Sequence, residues 1–176
     1  IPEQRRSEKW NKLLSLDKFV VRYAARNTAN TQTVIGYYRF DEGYGTTARD
    51  STNSRADGTL SGTTVPAWKT EDLCISGKCL YFNGSTAYVS AAVALPAVKT
   101  VSLWVRPNAV STSALIDLDS GTHTITVSSG TITANGFSSP TYYVNGISGN
   151  RTLTANSWNY VEVTTSTSFD SGGISI

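Results

Sequence analysis

From Val34 onward, short runs rich in Val, Ile, Thr, Tyr and Phe are broken every few residues by Gly, Asn, Asp or Ser. That punctuation limits what the chain can become. An isolated helix shorter than about 12 residues is marginal in water, and these runs are too short and too β-branched to build long ones. Strands are expected near 34–40, 57–60, 79–82, 86–90, 100–106, 114–118, 123–127, 130–134, 141–144 and 158–165. In VSLWVRP the apolar residues Val101, Leu103 and Val105 fall on one face, and Ser102, Trp104 and Arg106 on the other. WNYVEVTTST alternates in the same way. Asn83-Gly84, Asn135-Gly136 and Asn145-Gly146 are turn dipeptides. About ten strands without an intervening long helix imply a mainly β fold, an antiparallel sandwich of the jelly-roll kind.

The segment before Val34 reads differently. In residues 5–26 Trp10, Leu13, Leu16, Val20 and Tyr23 recur every three or four positions, with Leu14 and Phe19 widening the stripe. This is the spacing of one amphipathic helix, followed by a polar connector over 25–33. The chain is therefore divided into 1–33, helix and connector, and 34–176, the β domain. Charge follows the same division: seven Lys/Arg against three Asp/Glu in 1–35, and eight against ten beyond. The basic arm suits a solvated helix face beside a membrane better than nucleic acid, because the β region carries no basic stripe. No run of 18 apolar residues occurs, so a membrane could be reached only through a segment upstream of Ile1.

Cys74 and Cys79 are the only cysteines. With one histidine in the chain, His123, a closed zinc site lacks ligands. Gly77 allows the intervening residues to turn, so a local disulfide is expected, and with it an oxidising, extracellular compartment.

Taken in order, YYRFDEGYGTTARDS, ADGTLSG, CLYFNGSTAYVS, VSLWVRP and NSWNYVEVT resemble the laminin G-like, concanavalin A-like jelly-roll domains of bacterial and archaeal surface proteins. The resemblance covers roughly 36–176. It departs from the family pattern at DSTNSRADG, which has fewer glycines, and at Asn83, where the family has Asp. Asn159-Tyr160 stands in place of His-Val. The family closes on a strand of the type G-x-I-D-D/E-V-R-I-Y, absent up to GGISI, so the expectation is either that this C-terminal strand is missing from 34–176 or that another segment fills its position in the sheet. The basic helix running into the FDEG strand is also similar to type IV pilin-like proteins (pseudopilins) bearing a laminin G-like head. That likeness implies an upstream stretch of about 20 apolar residues. It also implies contacts from Trp10, Leu13, Phe19, Val20 and Tyr23 to the β domain or to other pilin-like subunits.

The candidate sites divide three ways. Asp41 and Glu42 are adjacent, so on extended backbone they point apart, which is poor geometry for an acid–base pair. Asp41, Asp50, Asn53 and Asp57 offer oxygens that suit calcium, and no other cofactor is expected. Asp117 and Asp119 are two apart on one strand and so share a face, where they could serve a glycosidase or a second calcium, yet no E-x-D-x-x-E arrangement accompanies them, and His123 lacks a nucleophile partner. No catalytic set is expected. Trp68, Tyr142 and Tyr143 could stack on sugar rings, whereas Trp104 and Trp158 read as packing residues. Asn83-Gly-Ser85 and Asn150-Arg-Thr152 match glycosylation sequons. The resulting expectation is a non-catalytic extracellular subunit of a pilus-like filament displaying an adhesive domain. A secreted carbohydrate-binding module is the alternative, and a glycoside hydrolase comes third.

Overall fold

The computed structural model describes residues 17–26 and 32–176. Fifteen strands form two antiparallel sheets. In chain order they are β1 (Asp17–Arg26), β2 (Gln32–Tyr38), β3 (Thr47–Ala48), β4 (Gly58–Ser61), β5 (Ala67–Lys69), β6 (Cys79–Tyr81), β7 (Tyr88–Ala91) and β8 (Leu95–Arg106). They continue with β9 (Ser113–Asp117), β10 (Thr124–Ser128), β11 (Thr131–Asn135), β12 (Thr141–Val144), β13 (Ile147–Ser148), β14 (Asn159–Ser171) and β15 (Ile174–Ser175). The first sheet runs β13-β12-β14-β8-β1-β6-β5, with β2 also paired to β1. The second runs β11-β10-β9-β15-β7-β4-β3.

The alternation in sequence becomes the core. Val101, Leu103 and Val105 of β8 are fully buried, as are Val161 and Val163 of β14. From the second sheet Leu60, Val89, Ile116, Ile125, Val127 and Ile132 join them in a single apolar cluster. Two sheets therefore share one core, and each has an opposite face turned away from it. Turn chemistry sets the register at Asn145-Gly146. Both residues have positive φ (55° and 79°), as a two-residue hairpin of the primed type requires, and Val144 pairs with Ile147 across it.

The ten expected strands all appear, with ends shifted by a few residues, and β8 and β14 run longer than expected. The main correction lies in the N-terminal segment. The helix expected over 5–26 is not found across its second half: Asp17–Arg26 is a strand, antiparallel to β8 from Thr100 to Arg106 and to β2 from Gln32 to Tyr38. Phe19, Val20 and Tyr23 thus lie on β1. Consecutive Val20 and Val21, flanked by aromatics, are good strand formers, and β1 covers the edge of β8 opposite β14. Trp10, Leu13 and the rest of the expected helix lie outside the described residues. Among the described residues no helix is long and apolar enough to cross a membrane.

Cys74 and Cys79 form the expected disulfide, with Cα atoms 5.8 Å apart. It ties a short 3-10 turn, Glu71–Leu73, to the first residue of β6.

Two stability experiments follow from this arrangement. Leu103→Ala leaves a void in the shared core and should lower unfolding free energy by about 2–5 kcal/mol in urea titration, with the β signature in circular dichroism retained. Replacing both Cys74 and Cys79 by Ser frees only a short loop and should cost about 2 kcal/mol. A thermal midpoint unchanged by that replacement would show the loop to be pre-ordered without its cross-link.

Candidate functional site

The stretch Gly36–Ser51 that opens the β domain is organised by one carboxylate. Asp50 is 6% exposed and is surrounded by donors from its own loop. It accepts hydrogen bonds from the backbone N–H groups of Tyr37 (2.9 Å), Thr52 (3.0 Å) and Ala56 (3.1 Å). The hydroxyls of Thr52 (2.7 Å) and Ser54 complete the set. Burial alone raises the Asp50 pKa, but the hydrogen bonds from Ser54, Thr52 and Tyr37 outweigh it and hold the carboxyl below its ordinary value. Beneath it, Tyr38 donates its phenolic hydrogen to the Ala56 carbonyl. Burial, with the Asp50 and Asp57 carboxylates, pushes the Tyr38 phenol well above its usual range.

Three of the four residues named for calcium make other bonds. Asp41 pairs with Arg39 at 2.7 Å, Asp50 is saturated by its loop, and Asp57 Oδ1 accepts the Asp50 N–H at 2.9 Å. No group of three or more His, Cys, Asp or Glu side chains suited to a metal occurs among the described residues. Glu42 turns away from Asp41 to accept the Arg49 N–H at 2.8 Å. Asp117 and Asp119 also separate. Asp117 ends β9, where its Oδ1 accepts the N–H groups of Asp119 (3.0 Å) and Gly121 (2.9 Å). Asp119 lies beyond the strand and meets His123 Nδ1 at 3.3 Å. His123 stacks flat on Phe169, with ring centres 3.8 Å apart.

The expected sugar-stacking aromatics are partly engaged. Trp68 is half-buried and donates its indole N–H to the Gly45 carbonyl at 2.8 Å. Tyr142 packs against the core, its hydroxyl accepts the Ala134 N–H, and the Arg151 guanidinium lies 4.4 Å from its ring centre. Tyr143, its neighbour on β12, falls on the opposite face, level with Glu162. Trp104 stands on the face of β8 away from Val101 and Leu103, tilted against Tyr160 at 5.2 Å. Asn83 caps its own loop: its Oδ1 accepts from Ser85, Thr86 and Ala87 at 2.9–3.0 Å. Either an amide or a carboxylate oxygen can do that.

The feature that single-residue reading missed lies on the outward face of the second sheet. Cross-strand pairing aligns Thr47, Thr59, Ser90, Ser175, Asp117, Thr124 and Asn135 in one row, with one residue from each of the seven strands. At about 4.8 Å between strands the row spans roughly 29 Å. Its middle is hollow. A depression of about 460 Å³ is lined by Asp57, Thr59, Ser90, Asp117, Ser120 and Ser175 among others. A second, of about 300 Å³, begins on the other side of Ser175 and is lined by Phe82, Ser85, Tyr88, Ser113, Leu115 and Ile176 among others. The two have Ser175 in common, and the second lies beside the end of β15, where Ile176 and Val89 exchange both backbone hydrogen bonds at 2.9 Å. Each residue of the row sits in a strand that reads in sequence as a plain apolar/polar alternation. Only the register brings them together.

Comparisons with known protein families, with curated proteins and with solved structures find no match to this chain.

Asp50 makes the site's framework sensitive to acid. Because its folded pKa is depressed, the stability it contributes is present above the unfolded value, about 4, and is lost as pH falls through the folded value. Asp50→Ala should destabilise the domain by roughly 2–4 kcal/mol at neutral pH. Asp50→Asn should flatten the acid limb of a pH–stability curve below about pH 4. An unaltered acid limb in that variant would remove Asp50 from the account.

Proposed function

We propose that this chain is a non-catalytic, extracellular adhesion module of the laminin G-like jelly-roll type, and that it binds carbohydrate in the larger hollow, lined from β4, β7, β9 and β15. The observation that carries this reading is the row of hydroxyl, amide and carboxylate side chains crossing the outward face of the second sheet, hollowed at its centre. A saccharide presents many hydroxyl groups, each a donor and an acceptor, and a surface of Ser, Thr and Asp answers both roles without deep burial. Of the four carboxylates weighed for catalysis only Asp117 lines the hollow; Asp41 bonds Arg39, Glu42 accepts from Arg49 and Asp119 meets His123. The Cys74–Cys79 disulfide is compatible with a location outside the cell.

A pilus-like filament that displays this domain is the second reading. It draws on the amphipathic stripe in the sequence before Asp17, with further copies or other pilin-like subunits as partners. Carbohydrate binding comes first because β1 takes the second half of that stripe into the sheet.

A glycan array probed with the full chain tests the function. Binding should be detected, and Ser90→Trp, which fills the larger hollow, should weaken it roughly tenfold or more while thermal unfolding stays close to that of the unaltered protein. A blank array at high protein concentration, or binding indifferent to Ser90→Trp, would remove this reading.

A further inference from the structure

Where β11 ends the second sheet, the sandwich carries a closure that the larger hollow does not use. The two sheets end on β13, β5, β3 and β11. The first three have two or three residues each, whereas β11 has five, Thr131–Asn135. A strand of that length with an open edge is a template for another chain, because its outward N–H and C=O groups need partners. One side of β11 pairs with β10. The backbone groups of Ile132 point to the other side, as does the N–H of Ala134, and all of them are met from outside the sheet.

The segment after β13 runs along that outer side. Ile132 donates its N–H to the Arg151 carbonyl at 2.8 Å, Leu153 donates to the Gly130 carbonyl at 2.8 Å, and Thr152 bridges Thr131. Leu153, 3% exposed, roots the segment in the core. Beyond the Ile132 N–H, side chains take over from backbone. Arg151 donates to the Ile132 carbonyl from Nε at 2.8 Å and from Nη2 at 2.5 Å, and Nη2 also reaches Thr133 Oγ1 at 3.1 Å. From the other sheet the Tyr142 hydroxyl accepts the Ala134 N–H at 3.1 Å. The Arg151 guanidinium lies 4.4 Å from the Tyr142 ring centre, so each of the two side chains holds the other in place.

We propose that residues 150–154, with Arg151 as the latch and Tyr142 as its seat, form a strap that closes β11 against strand addition by a second copy of this chain. Without the strap the edge is self-complementary. Two copies related by a twofold axis beside Thr133 set Ile132 of one opposite Ala134 of the other, so that the outward N–H of each Ala134 meets the outward carbonyl of an Ile132. The strap and the Arg151 side chain occupy that place. Neither β11 nor the strap lines the larger hollow, so closing the edge and binding a sugar are independent.

The test unlatches the strap in the full chain. In Arg151→Ala the amides of Ile132 and Ala134 should exchange with deuterium roughly tenfold faster or more, while those of Thr131 and Thr133, which face β10, keep their rates. Arg151→Lys, which loses the planar fork but keeps the charge, should fall between. The double variant Arg151→Ala, Leu153→Ala also unroots the strap. In light scattering it should form a dimer whose fraction rises with protein concentration. Adding Ala134→Pro takes away one outward N–H without removing a bond to β10, and should return that variant to the monomer. Leu103→Ala, weakened in the core with the strap intact, is the control and should stay monomeric. Unchanged exchange at Ile132 and Ala134 in Arg151→Ala overturns the proposal. So does a folded double variant that stays monomeric, or a dimer that forms equally with Ala134→Pro or in Leu103→Ala. If the double variant does not fold, the exchange rates in Arg151→Ala decide alone.

Discussion

Everything in this molecule depends on the two-residue period of the extended chain. A strand that gives Val101, Leu103 and Val105 to the core must carry Trp104 and Arg106 on its other side. The same holds for β7, where Val89 and Ala91 are buried beside half-exposed Ser90. Burial of the inward set, at about 25 cal/mol for each Å² of apolar surface removed from water, is what holds the two sheets together. The outward set is then a by-product of packing. On the second sheet that by-product is a field of Thr, Ser, Asp and Asn, because those residues alternate with the buried aliphatics.

Loops complete what the strands cannot. Asp50 gathers the donors of its own turn and so fixes the path from β2 toward β4. The connection from β9 to β10 works in a related way: Asp117 holds the turn through Asp119 and Gly121, and Asp119 leads to His123, which lies flat on Phe169. That turn packs closely against neighbouring backbone. A Cβ on Gly172 would stand 2.6 Å from Asp119 Oδ1, and one on Gly136, at φ 78°, would meet the Thr122 carbonyl at 2.2 Å. Carboxylates that might suggest catalysis or calcium when read singly are, in the fold, mostly the means by which turns satisfy their own N–H groups. Asp57 and Asp117, each held through Oδ1, are the two carboxylates that line the larger hollow.

The stripe of Phe19, Val20 and Tyr23 shows where sequence periodicity gives out. Its three- and four-residue spacings fit a helix, but Phe19, Val21 and Tyr23 also alternate, and a short apolar run supports either period. Local sequence could not decide between them. Pairing with β8 on one side and β2 on the other supplies backbone hydrogen bonds on both edges, and tertiary context overrides a weak local preference of this kind. The same limit explains the short strands β3, β5, β13 and β15, two or three residues each. A run that brief has no periodicity to detect and exists only because a neighbouring edge accepts it.

By itself the sequence determined the strand-rich class, the positions of the longer strands, the inward residues of β8 and β14, and the disulfide, since each depends on neighbours a few positions apart. The tertiary structure alone decided that β1 enters a sheet, that Asp50 turns inward to its loop, and that seven residues from seven strands stand in one row. The reason is physical: cross-strand register joins residues such as Thr59 and Ser175 through intervening strands, and no local spacing in the chain encodes that alignment.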